Sequence, residues 1–142
     1  MNESQLTVTE QVARTVREFQ HQRTGHAPQS VSVVLSKGTL IATLHGALTP
    51  AEQTLSRTPK GAAKVREFHR ELFQNSLAPL QAEIERITGV AVGESAVEVE
   101  SSTGAVLQVF TTGTMVQVFQ LASGLSTEIW NEREDAPSGH AS

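Results

Sequence analysis

Two runs of strict alternation that meet at Lys37-Gly38 limit what this chain can become more than any other feature. Val31, Val33 and Leu35 alternate with mostly small polar residues, and beyond Lys37-Gly38 the pattern resumes as Leu40, Ala42 and Leu44. A period of two sends successive side chains to opposite faces, and a two-residue connection containing glycine reverses the chain as a β-hairpin. If Ser36 stands opposite Thr39, Leu35 meets Leu40, Val33 meets Ala42 and Val31 meets Leu44, all on one face. A lone hairpin with one aliphatic face is not stable in water, so the chain must supply elements to cover it. The opposite face carries Ser32, Thr43, Ser36 and Thr39, together with a Val34–Ile41 pair that single-sided burial does not require.

A second alternating unit lies near the C-terminal end. Val97 and Val99 alternate with Glu98 and Glu100, and Ser102-Thr103-Gly104 has the length and final glycine of a three-residue bulged turn into residues 105–112. Pairing across that turn places Val99 opposite Leu107 and Val97 opposite Val109 on the inner face. It leaves Glu98, Gln108, Val106 and Phe110 on the outer one. Residues 115–122 read as a possible fifth strand, and residues 131–142, polar and bearing Pro, Gly and Ser, as a disordered tail.

Helical spacing fills the intervals. Val8, Val12, Val16 and Phe19 form one stripe, with Thr7 and Glu10 placed as a capping box and Gly25 as a stop. Thr49-Pro50-Ala51-Glu52 has the chemistry of a helix start, and Thr58-Pro59 repeats it. Val65, Phe68, Leu72, Ser76, Leu80, Ile84 and Ile87 then hold three-and-four spacing up to Thr88-Gly89. Pro79 removes one backbone donor inside that run, which predicts a kink or break near Asn75 and Ser76. A helix, a Thr-Gly stop and a hairpin thus occur twice; either an internal duplication or the common use of glycine at helix ends accounts for this. The expected fold is α+β: an antiparallel sheet of two hairpins with amphipathic helices packed on one face, forming a single domain over residues 1–130.

The composition removes many chemistries. There is no cysteine, which excludes disulfides, thiolate nucleophiles and zinc fingers and suits a cytoplasmic setting. No apolar run approaches the roughly 18 residues needed to span a bilayer, and the first residues lack a basic start followed by an apolar stretch, so neither membrane insertion nor secretion is expected. Fifteen acids against eleven bases give a net charge of -4, with one Trp and no Tyr. Phosphate backbones are not attracted to such a chain and stacking platforms are scarce, so nucleic acid is not an expected partner. His21 and His26 diverge on a helix, and His69 beside Glu67 and Glu71 reads as part of a solvated helix face. The sole aspartate, Asp135, falls in the tail. Glu98 and Glu100 share a strand face at about 7 Å but lack aromatic sugar platforms. No nucleophile elbow, phosphate loop or dinucleotide motif is present, and no catalytic residue, metal or cofactor is expected.

The run Gly46-Ala47-Leu48-Thr49-Pro50-Ala51-Glu52, then Leu55, then Thr58-Pro59-Lys60-Gly61, then Ile84-Glu85-Arg86-Ile87-Thr88-Gly89 resembles the MpsC-like domain, from about the first helix to Phe110. The resemblance implies a soluble accessory partner of a sodium-translocating, membrane-potential-generating system and transfers no catalytic residues. Residues 111–130 exceed what the resemblance accounts for. Two functions are therefore expected to compete. The first is a non-enzymatic interaction domain whose outer sheet face, with Val34, Ile41, Val106 and Phe110, docks another chain, a homodimer being the simplest case and membrane-transport subunits another. The second is a small-anion-binding protein or enzyme using the helix starts near Thr49 and Thr58 with Lys60 and Arg66.

Overall fold

The computed structural model describes residues 6–100 and 102–112. In chain order these form α1 (Val8–Thr24), β1 (Ser30–Ser36), β2 (Thr39–His45), α2 (Pro50–Leu55), α3 (Pro59–Asn75), α4 (Leu77–Thr88), β3 (Glu94–Glu100) and β4 (Ala105–Thr111). The expected α+β class is observed: one antiparallel sheet, in the order β1-β2-β4-β3, with the helices on one face. The fifth strand at 115–122 and the tail at 131–142 lie outside the described residues.

The first hairpin has the expected register, Ser36 opposite Thr39 and Val31 opposite Leu44. Lys37 and Gly38 both have positive φ, 47° and 84°, the turn whose twist matches that of the flanking strands. The second hairpin differs by one residue. Glu100, not residue 101, stands opposite Ala105, so the connection has four residues, 101–104. It closes with Gly104 at φ 74°, whose N–H donates to the Glu100 carbonyl at 2.8 Å. A one-residue slip moves every side chain of β4 to the other face. Val106, Gln108 and Phe110 therefore face the helices, and Leu107 and Val109 face outward.

This corrects the expected placement of Val106 and Phe110 on an outer docking surface; both are buried in the core. The physical reason is that β4 is apolar at both parities, so its own pattern does not choose a face. Its neighbours do. Leu40 pairs with Phe110 and Leu44 with Val106, which brings these four apolar side chains together under the helices. There the Phe110 ring lies 6.0 Å from that of Phe73 on α3. Val12 and Val16 of α1, Val65 of α3, and Leu80 and Ile84 of α4 complete the layer.

The helix boundaries follow the expected chemistry. Thr7 and Glu10 form a reciprocal capping box, and Gly25 ends α1 at φ 75°. The long apolar run after Thr58 is broken at Ser76, as Pro79 requires. Pro79 sits in the first turn of α4, where a missing N–H costs nothing, while the Ser76 hydroxyl turns back to the Leu72 carbonyl at 2.9 Å. Gly61 has a tighter constraint, since a Cβ there would stand 1.9 Å from the Leu55 carbonyl oxygen. Only glycine lets α3 start so close to the end of α2.

The case for internal duplication is strengthened by matching polar details. Leu6-Thr7 with Glu10-Gln11 repeats as Leu48-Thr49 with Glu52-Gln53, and each copy has the capping box plus a glutamine amide donating to the leucine carbonyl, at 3.0 and 3.1 Å. At the helix ends, the Thr24 hydroxyl donates to the Gln20 carbonyl and receives the His26 N–H, and the Thr88 hydroxyl does the same with Ile84 and Val90. The sheet order is symmetric about the β2–β4 pair, so the two hairpins are related by a pseudo-twofold axis.

The observed register makes opposite demands on two residues once expected to share a surface. Phe110→Ala should lower the unfolding free energy by about 3–5 kcal/mol, whereas Val34→Ala should cost less than about 1 kcal/mol. Urea denaturation curves followed by circular dichroism check both.

Candidate functional site

On the outer face of the sheet the register aligns one apolar row across all four strands: Val34 opposite Ile41, Ile41 opposite Val109, and Val109 opposite Ala96. Rows that are polar except for Leu107 flank it. Ser32, Thr43, Leu107 and Glu98 lie on one side, Ser36, Thr39, Thr111 and Glu94 on the other. The expected outer surface thus keeps Val34 and Ile41, and gains Val109 and Ala96 in place of Val106 and Phe110. Val109 was visible as an apolar residue in the sequence but assigned to the wrong side by the turn length.

Among the described residues β1 and β3 are the edges of the sheet, and they differ sharply in charge. β1 reads Ser-Val-Ser-Val-Val-Leu-Ser, with no charged residue and no proline, and Val34 and Leu35 on it are 59% and 45% exposed. β3 carries Glu94, Glu98 and Glu100, and all three project to the outer face. Charged side chains are a usual guard against edge-to-edge pairing, and β1 lacks them.

His69 is not on a solvated face. It is 2% exposed, and its Nε2–H donates to Glu52 Oε2 at 2.9 Å, joining α3 to α2, while Glu67 and Glu71 are exposed. The signal was present in the sequence: Val65, His69 and Phe73 occur at successive spacings of four, so the histidine lies on the apolar stripe. Glu52 also accepts the Thr49 N–H through Oε1, at 2.9 Å. Burial alone would raise the Glu52 carboxyl, but the hydrogen bond from His69, the bonds from Thr49 and the His69 charge more than offset it, leaving the group below the ordinary carboxylate range. The pair forms a clamp between α3 and the start of α2.

The residues expected to form an anion site are placed as follows. Thr49 and Thr58 are helix caps, their hydroxyls accepting the N–H groups of Glu52 and Gly61. Lys60 and Arg66 both lie on α3, six positions apart and therefore turned about 120° from each other. A surface cleft of about 460 Å³ beside α2 is lined by Arg23, Thr24, Thr49, Glu52, Lys64 and Phe68, among others. Thr49 reaches this cleft; Thr58, Lys60 and Arg66 do not line it. Among the described residues no group of three or more His, Asp or Glu side chains is arranged to hold a metal ion, and no helix is long and apolar enough to cross a membrane.

Fold and surface together define a two-layer α+β domain, helices over one face of a four-stranded sheet whose other face bears an apolar row. Residues 4–114 match the family model described as the Na+-translocating membrane potential-generating system (MpsC), and the chain belongs to that family. An uncharacterized protein of Bacillus subtilis (strain 168), YbcI, is 24% identical over 110 residues, covering 78% of this chain and 89% of that protein. No solved structure matches the chain.

The Glu52–His69 clamp yields a pH signature. A carboxyl held lower in the folded than in the unfolded protein stabilises the fold fully above the unfolded value, near 4.5, and that contribution is lost as pH falls through the folded value. Glu52→Gln should cost about 1–2 kcal/mol at neutral pH. Its melting temperature should also fall less steeply than that of the parent between about pH 5 and pH 3. Parallel slopes in thermal melts would refute the assignment.

Proposed function

We propose that this chain is a soluble, cytoplasmic accessory domain that works by contact and not by catalysis, forming a homodimer and serving a membrane cation-transport system. The observation that carries the reading is the uncharged β1 edge with Val34 and Leu35 exposed beside it. A strand at a sheet edge presents a row of backbone donors and acceptors, and a second extended strand satisfies them while its side chains cover the apolar neighbours. Two copies meeting at β1 about a twofold axis would use the same patch on both sides, and no like charges would be brought together within the strand. The β3 edge offers three glutamates to such a partner and is disfavoured.

Support for the membrane-transport association comes from the family description, and the domain itself needs no bilayer segment for such a role. The net charge of -4 argues against nucleic acid as a partner. On this reading the polar groups at the helix starts are structural, since the hydroxyls of Thr49 and Thr58 are already engaged as caps.

Sedimentation equilibrium tests the proposal. The parent chain should form a dimer, and Val34→Lys should weaken it by at least roughly tenfold while leaving the circular dichroism spectrum unchanged. A parent that stays monomeric at high concentration, or a dimer indifferent to the lysine, would overturn it.

A further inference from the structure

Two buried amides from different layers open onto one small cavity. Gln20, on α1, is 6% exposed, and Gln108, on the central strand β4, is 5% exposed. Both line a cavity of about 10 Å³ whose walls include His69, Ser76, Phe73 and Leu80. Gln20 Nε2 and Gln108 Oε1 are buried, and neither has a hydrogen-bond partner among the described residues. A buried polar atom left unsatisfied costs about 1–3 kcal/mol. Two of them at one cavity point to a shared ligand.

The chemistry of the walls selects that ligand. Gln20 presents a donor and Gln108 an acceptor. A cation would be repelled by the donor, an anion by the carbonyl oxygen, and an apolar molecule would satisfy neither. A neutral molecule that both gives and accepts hydrogen bonds is required, and about 10 Å³ is the smallest space on this measure that holds one water and is too small for anything larger. Water also meets the site with either amide turned end for end, because its donors and acceptors are interchangeable. A third partner is at hand. Ser76 Oγ gives its hydrogen to the Leu72 carbonyl and keeps acceptor capacity at the cavity wall.

We propose that one buried water accepts a hydrogen bond from Gln20 Nε2 and donates one to Gln108 Oε1, tying α1 to the centre of the sheet beside the α3–α4 break. Gln20 then has a reason to continue the Val12, Val16 stripe as a polar residue. It holds the helix to β4 through the water where an aliphatic side chain would leave Gln108 unpaired.

Water-selective NOE and ROE spectra of the full-length, nitrogen-15-labelled protein test this. Cross-peaks should link water to the side-chain amide protons of Gln20 and Gln108, with the sign of a molecule that stays bound for longer than the protein tumbles. The Gln20 signal should be lost in Gln108→Met, which keeps the volume and removes the acceptor. Absence of both signals in the parent protein would overturn the proposal, and so would a Gln20 signal that persists in Gln108→Met. If that variant fails to fold, a high-resolution crystal structure of the parent decides. Density for one water within about 3.2 Å of both atoms is expected. A direct Gln20–Gln108 hydrogen bond or a dry cavity refutes the bridge.

Discussion

The pairing of β2 with β4 is the contact on which the other parts of the molecule rest. Among the described residues it is the only strand pairing that links the two hairpins, and it joins segments more than sixty residues apart in sequence. Its register puts Leu40 against Phe110 and Leu44 against Val106, so one set of contacts builds the floor for α1, α3 and α4 together. Shifting β4 by one residue would turn Phe110 to the outer face and bring Leu107 and Val109 beneath the helices in its place. The same register also creates the outer row of Val34, Ile41, Val109 and Ala96. Core and candidate surface are two consequences of one pairing.

Much of this was legible from the residues. The first hairpin, the Thr7 and Thr49 caps, the glycine stops and the break before Leu77 each follow from local chemistry that few alternatives satisfy. The MpsC resemblance read from Leu-Thr-Pro-Ala-Glu and the later Thr-Gly stop agrees with the family match over residues 4–114. The second register was not legible, because β4 carries large apolar residues at both parities and the turn ending in Gly104 fits three residues as readily as four. Long-range packing chose between them. His69 differs from expectation for another reason: Glu67 and Glu71 adjoin it in sequence, but a helix sets its faces by spacings of three and four, which group it with Val65 and Phe73. Its partner, Glu52, comes from another helix and could not be inferred from α3 alone.

The polar groups inside the domain are mostly committed to holding it. Thr49, Glu52 and His69 form one connected set in which a cap, a carboxylate and a buried imidazole satisfy each other. Thr24 and Thr88 do the same at the two helix ends. Side chains that in another setting could bind a ligand are here engaged with each other or with the backbone, which leaves the surfaces of the sheet as the less committed part of the domain. Among the described residues Gln20 Nε2, Gln108 Oε1 and Ser56 Oγ are buried without a partner; the two glutamines line one cavity, and their mixed donor and acceptor character matches a water bridge better than a substrate site.

The pseudo-twofold makes the β1 and β3 edges counterparts of each other. An α-β-β unit used twice, with the copies joined at β2 and β4, necessarily leaves two equivalent edge strands facing outward in opposite directions. Equivalent edges would let copies add at both ends, and a chain that pairs at both ends propagates without closing. The two halves have diverged in the property that governs this. β3 carries three glutamates on its outer face, while β1 carries no charge at all. An acidic edge opposed to another acidic edge is repelled, and a neutral edge opposed to its own copy is not. On the proposed reading, one neutral edge per chain among the described residues would limit assembly to pairs, and the charge asymmetry between two otherwise similar hairpins would favour a closed dimer over an open filament.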